Sequence, residues 1–284
     1  MDLEPDGIVA PDTDASVGDT SELQRIEAML EDGRAEEALA AIDAALAAGA
    51  VNALDLTFLR GDASLALGRA RDAEAHFRTV LAQDPDCASS RCWLAMSLFL
   101  QWRFDEAEAA AAAARELPDA LPDADIVFGA VLERRGDYDS ADAHFERAAA
   151  AAPDKYVVPL RLTRAQFDRE VKQAARQLPR QFRQCLDRVA VVVQDVPDTS
   201  LAEGGGDDVA PDMLGLFDGV PLPDTAEFAA PQLRPNTIYL FQRNLERIAG
   251  DRAELVEQIR ITLWHELGHY LGFEEEDMDD LGLA

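Results

Sequence analysis

The residues with the most chemistry in this chain are His265-Glu266-Leu267-Gly268-His269. On a helix, residues four apart share a face, so His265 and His269 can bring two imidazoles to one metal ion. Glu266 stands beside them, where a carboxylate can take a proton from a metal-bound water. The order His-Glu-x-x-His is that of a zinc site carried by a single helix, with the glutamate as general base.

That chemistry requires a helix, and the flanking residues supply one. Ile259, Ile261, Leu263, Trp264, Leu267 and Leu271 make the stretch apolar enough to be buried. Gly250-Asp251 provides a start, with Glu254 three residues on as in a capping box. Gly272 provides a stop. The expected helix covers about 251–271.

A catalytic zinc takes three protein ligands and keeps a fourth position open. His265 and His269 are two of only four histidines. The others, His76 and His144, each precede a phenylalanine at equivalent positions of a repeat, which reads as packing or surface. Carboxylates lie just downstream at Glu274, Glu275, Glu276, Asp277 and Asp279. A chain turning back after Gly272 would bring a residue three positions on toward the metal, which favours Glu275. The same run also reads as an acidic, solvated tail.

Upstream of the helix, the pattern predicts a capped helix from Thr163 to about Leu178, with Gln166 as box partner, and a short helix opened by Pro179. The apolar, β-branched run 189–193 predicts a buried strand, and 237–241 a second one. Residues 195–235 are rich in Pro, Gly and Asp and read as loop. Gly204-Gly205-Gly206 lacks the following Lys-Ser/Thr of a phosphate loop and reads as a linker turn.

The first half of the chain is a repeat. Gly33-Arg-Ala-Glu-Glu-Ala38, Gly68-Arg-Ala-Arg-Asp-Ala73, Trp102-Arg-Phe-Asp-Glu-Ala107 and Gly136-Asp-Tyr-Asp-Ser-Ala141 start 35, 34 and 34 residues apart. Ile42, Phe77, Ala111 and Phe145 share one position in the unit; Gly61, Ala95 and Gly129 share another. Pro85, Pro118 and Pro153 close the last three units. Small residues let the paired helices approach, and the large apolar residue fills the space between pairs. Over 21–153 this resembles the tetratricopeptide repeat, as four helix pairs. The resemblance implies a right-handed superhelix whose groove binds peptides or protein partners.

Composition narrows the classes. A net charge of -29 disfavours nucleic acid and anionic membrane surfaces, whose phosphates would be repelled. Residues 1–20 carry six acids and no base, which reads as a disordered acidic tail and not a secretory signal. No apolar run approaches a membrane span. Cys87, Cys92 and Cys185 form no CxxC pair and read as reduced residues of a cytoplasmic protein. Residues 155–190 hold nine bases against three acids, a stretch that can dock on the chain's own acidic surface, hold an anionic partner, or simply be solvated.

A second resemblance covers about 160–284. Leu214-Gly-Leu-Phe-Asp-Gly-Val-Pro221, Ile238-Tyr-Leu-Phe-Gln-Arg-Asn-Leu245 and Ile261-Thr-Leu-Trp-His-Glu-Leu-Gly-His-Tyr-Leu-Gly272 look like the small bacterial zincin-like metallopeptidases. The resemblance implies a minimal zincin core with an HExxHxxGxx-acid site: Zn2+ on His265, His269 and Glu275, and Glu266 as catalytic base. The expected architecture is therefore an N-terminal all-α tetratricopeptide-type solenoid followed by a small α+β minimal zincin-like domain. The expected activity is hydrolysis of peptide bonds by metal-activated water, with the repeats recognising protein. Tyr239 and Arg243 are candidate oxyanion partners by proximity in sequence, and the edge of the sheet near 237–241 is a candidate place for an extended substrate to add. The competing class is a scaffold that holds metal without cleaving; the intact Glu266 favours the enzyme.

Overall fold

The computed structural model describes residues 14–49, 52–204, 209–222 and 235–273. Eight helices come first, as four helix-turn-helix pairs: α1 (Asp14–Glu31) with α2 (Ala35–Ala47), α3 (Ala53–Ala66) with α4 (Ala70–Gln83), α5 (Ala88–Leu100) with α6 (Phe104–Arg115), and α7 (Pro122–Arg134) with α8 (Tyr138–Ala151). Residues 14–20, expected in the acidic tail, are instead the opening of α1. Residues 1–13 lie outside the described residues.

The repeat positions do what their sizes dictate. Ile42, Phe77, Ala111 and Phe145 are all fully buried. Phe77 and Phe145 pack against Gly61 and Gly129, where a methyl group would fall 2.7 Å from the ring. Close helix approach and ring insertion are thus one event, and each needs the other residue small or large in turn. His144 stacks on Phe128 at 4.4 Å and contacts Asp125 at 2.6 Å, a packing role as its repeat position suggested. Cys92 is buried in the same array, and burial pushes its thiol up to about 12.

The second unit is small and mixed. Its helices are α9 (Arg164–Gln177), α10 (Arg180–Cys185), α11 (Thr199–Gly204), α12 (Gln242–Arg247) and α13 (Arg252–Leu271), and its strands β1 (Ala190–Gln194), β2 (Gly215–Asp218) and β3 (Thr237–Phe241). Thr163 and Gln166 form the expected capping box of α9. The sheet order is β1-β3-β2, with β1 parallel and β2 antiparallel to β3. The central β3 is buried along its length. The expectation of a buried strand near 189–193 is corrected: β1 is an edge strand, and Val192 is 38% exposed. A third strand, β2, also lies inside the stretch read as loop. Leu240, Leu255, Ile259, Leu263 and Phe167 lie together in one core, built where α13 packs on β2, β3 and α9.

The two units meet across charged and aromatic groups. Glu133, at the end of α7, is 1% exposed and ion-paired to Arg161 at 2.7 Å and Arg247 at 2.9 Å. Glu246 is fully buried and accepts from Arg243, Gln242 and the Leu162 backbone at 2.7–3.0 Å. Lys155, Arg161 and Arg164 reach Asp123, Asp142 and Asp195, so part of the basic stretch docks on the chain's own acids. Burial opposes the Arg161 charge, but its bonds to Asp142 and Glu133 hold it above the usual range.

Candidate metal centre

The metal-site residues ride on α13, and both ends of that helix are fixed by local chemistry. The Asp251 side chain accepts from the backbone N–H groups of Ala253 and Glu254 at 2.8 and 2.9 Å. Glu254 in turn accepts from Gly250 N–H at 2.8 Å. These bonds satisfy donors that the first turn leaves orphaned. At the other end Gly272 adopts φ +85°, and the N–H groups of Gly272 and Phe273 donate to the His269 and Gly268 carbonyls, each at 3.0 Å. This is a complete Schellman ending, which needs a residue without Cβ.

Within the helix, His265 and His269 bring their Nε2 atoms to 3.2 Å, with the two rings nearly perpendicular at 85°. Two ligands at the usual zinc–nitrogen distance of about 2.0–2.1 Å and this separation subtend an angle of roughly 100° at the metal, near tetrahedral. The pair therefore fits a single zinc ion. Both imidazoles are partly exposed, while Glu266 beside them is 6% exposed. Two partly exposed imidazoles beside a sheltered carboxylate are compatible with a base that activates water.

What shelters Glu266 is β2. A methyl group on Gly215 would fall 3.0 Å from Glu266 Oε1 and 2.5 Å from Thr262 Cγ2. Two residues along the strand, Phe217 meets Tyr270 edge-on at 5.9 Å. Thr262, Glu266 and Tyr270 are four apart and form the stripe of α13 that faces β2. The Leu222 N–H donates to the Tyr270 carbonyl at 2.7 Å and ties the chain after β2 to the same helix. Trp264, on a neighbouring stripe, packs edge-on against Phe182.

Several expectations are revised here. Tyr239 pairs with Val192 and Leu216, one residue out of step with Ile238 and Leu240, which meet α13 in the core; its side chain belongs to the opposite sheet face. Arg243 is engaged at the junction, bonded to Glu246 at 2.8 Å and stacked over Tyr138 at 4.5 Å. The strand 237–241 is itself central, flanked by β1 and β2, so the sheet edges near it belong to those two strands. Glu275 and the other downstream carboxylates lie outside the described residues. Among the described residues, no group of three or more His, Cys, Asp or Glu is placed to hold a metal ion.

Sequence reasoning missed the β2 contribution. Thr262 and Tyr270 were open to inference, since they sit one helical turn before and after Glu266. Gly215 carries no comparable signal, because its role arises from a strand paired across 25 residues of chain.

Comparison with known proteins agrees with this division. Residues 186–283 match the family described as Zincin-like metallopeptidase, and residues 58–125 match Tetratricopeptide repeat. The chain thus joins a tetratricopeptide repeat region to a zincin-like metallopeptidase domain. No curated protein matches it. Among solved structures, it is similar to TTC0263, a thermophilic TPR protein in Thermus thermophilus, at 18% identity over 48% of this chain and 75% of that one, with a TM-score of 0.43. It is also similar to YrrB, described as a TPR protein with an unusual peptide-binding site, at 22% identity over 49% and 71%, TM-score 0.39. MamA matches at 21% identity over 45% and 74%, TM-score 0.38.

Proposed function

We propose that the chain is a zinc-dependent peptidase whose repeat region recognises a protein or peptide. The observation that carries this reading is the 3.2 Å convergence of the His265 and His269 Nε2 atoms next to the buried Glu266. The match of residues 186–283 to zincin-like metallopeptidases supports the metal and the reaction class.

In this reading His265, His269 and Glu275 hold Zn2+, which would supply an acidified water and a polarised scissile carbonyl. Glu266 accepts the water's proton and delivers it to the leaving amine. Thr262 and Tyr270 keep the Glu266 stripe packed under β2, and β2 excludes bulk water from one side of the carboxylate. Opposite β3, the β2 edge carries no paired strand among the described residues. That edge runs beside Glu266 and takes an extended peptide by main-chain hydrogen bonds. We assign the repeats, over about 21–153, to partner or substrate recognition, and the domain from about 160 onward to chemistry. Three free cysteines fit a reducing compartment such as the cytoplasm. No helix among the described residues is long and apolar enough to cross a membrane.

The test is cleavage of a peptide library by the full chain, with and without a chelator, and with zinc added back. Chelator-sensitive cleavage restored by zinc supports the peptidase. Bound zinc with no cleavage of any peptide would leave a metal-holding scaffold.

A further inference from the structure

Trp102 stands where the other three repeats have glycine: Gly33, Gly68 and Gly136. All four residues turn the chain between the two helices of a pair, and all four are left-handed, with φ of +75°, +70° and +77° at the glycines and +63° at Trp102. Among the described residues, Trp102 is the one non-glycine residue with positive φ. A bulky side chain at such a position is a genuine outlier, costly unless something outside the turn compensates. The repeat itself offers no reason for a tryptophan, because glycine makes the same turn three times over.

The compensation lies in the other domain. The Trp102 indole N–H donates to the Val209 carbonyl at 3.0 Å. Its ring packs edge-on against Phe104, and the Arg134 guanidinium lies over both rings at 4.9 and 4.4 Å. Arg134 then donates to the Pro197 carbonyl at 2.5 Å. Val209 and Pro197 both belong to the connection between β1 and β2. From the opposite side Asn244 of α12 donates to the Pro211 and Met213 carbonyls at 3.1 and 2.7 Å. Two residues after Met213 comes Gly215, against Glu266. Trp102 and Arg134 of the repeats therefore bond to the segment that leads, six residues after Val209, into the strand over the carboxylate.

We propose that Trp102 is a positioning residue: it docks the third and fourth repeats onto the β1–β2 connection and so fixes the β2 strand that covers Glu266. The catalytic half of this statement rests on the peptidase reading; the docking half does not. Trp102→Gly is the informative variant, because it restores the residue that the other repeats use and relieves the turn. In hydrogen exchange on the full chain, the amides of 209–218 should lose about tenfold or more of their protection, while α5 and α6 keep theirs. Arg134→Gln, which leaves the turn untouched, should expose the same segment. The two changes together should do little more than either alone, since they break one contact. If the wild type cleaves peptides, Trp102→Gly should lower kcat about tenfold with zinc affinity unchanged. Unchanged protection at 209–218 in both variants overturns the docking. So does exposure in Trp102→Gly matched by equal exposure of α5 and α6. Exposure of 209–218 with kcat intact overturns the positioning role. A wild type that cleaves nothing defeats the peptidase reading alone, and the exchange measurement still decides the docking.

Discussion

Gly215 and Glu266 face each other across two elements: a methyl group on this edge-strand glycine would fall 3.0 Å from the carboxylate Oε1 of the helix beneath it, closer than side chains normally approach. Gly215→Ala should therefore push β2 off α13. Overpacking of this kind costs about 1–3 kcal/mol, measurable by chemical denaturation. Peptide turnover should fall while bound zinc, measured by metal analysis, stays near wild type. Adding Thr262→Ser, which removes the nearest of the three crowding atoms, should recover part of the loss.

Removing the base should separate chemistry from metal binding. Glu266→Gln keeps the size of the side chain and the zinc but should cut turnover by about 10²–10⁴-fold, the usual contribution of a positioned acid–base group. His265→Ala and His269→Ala should each lose the zinc itself. A Glu266→Gln protein that turns over peptide normally would remove the residue from the mechanism.

The junction should be sensitive to a single charge. Glu133 is buried between Arg161 and Arg247, and Glu133→Ala leaves both guanidinium groups without their shared partner. Breaking a buried pair from one side costs about 3–5 kcal/mol. Denaturation monitored separately in the two domains should then show their transitions moving apart.

Acid should weaken the repeats through two histidines. Burial lowers the pKa of His76 and His144 below the ordinary 6.5, against the opposing pull of Asp125 on His144. The folded state then binds protons less readily than the unfolded chain. Their contribution is complete above pH 6.5 and is lost as pH falls through the folded values. The melting temperature should drop from about pH 7.5 to about 5.5, and His144→Gln should flatten that slope.

Local chemistry was legible in the sequence and long-range placement was not. Asp251, Gly272, Thr163 and Gln166 set helix ends through bonds spanning a few residues, and each end falls where its residues put it. The four repeat units were legible for the same reason, as a period that recurs in one dimension. Residues 14–20 defeat a reading by charge, because they are the first turns of α1, the end of a helix that tolerates acids. β1 defeats a reading by composition, because an unbroken apolar run cannot tell the centre of a sheet from its edge. β2 is four residues long, too short for a period, and is a strand only because β3 lies beside it. Arg243 is near the site by its distance along the chain, but folding gives it Glu246 and Tyr138 instead. At the metal centre, the two imidazoles and their base were visible from spacing on one helix. The cover over that base was invisible, since it comes from another part of the chain.

The ending of α13 ties together two things usually treated apart. The carbonyl that receives the Gly272 amide belongs to His269, so the bond that stops the helix and the imidazole offered to the metal share one residue. Any force that redirects the backbone at Phe273 is felt, through a single peptide unit, at that ring. A side chain at Gly272 would do more than fray a terminus: it would turn the exit of the chain and the aim of the imidazole at once.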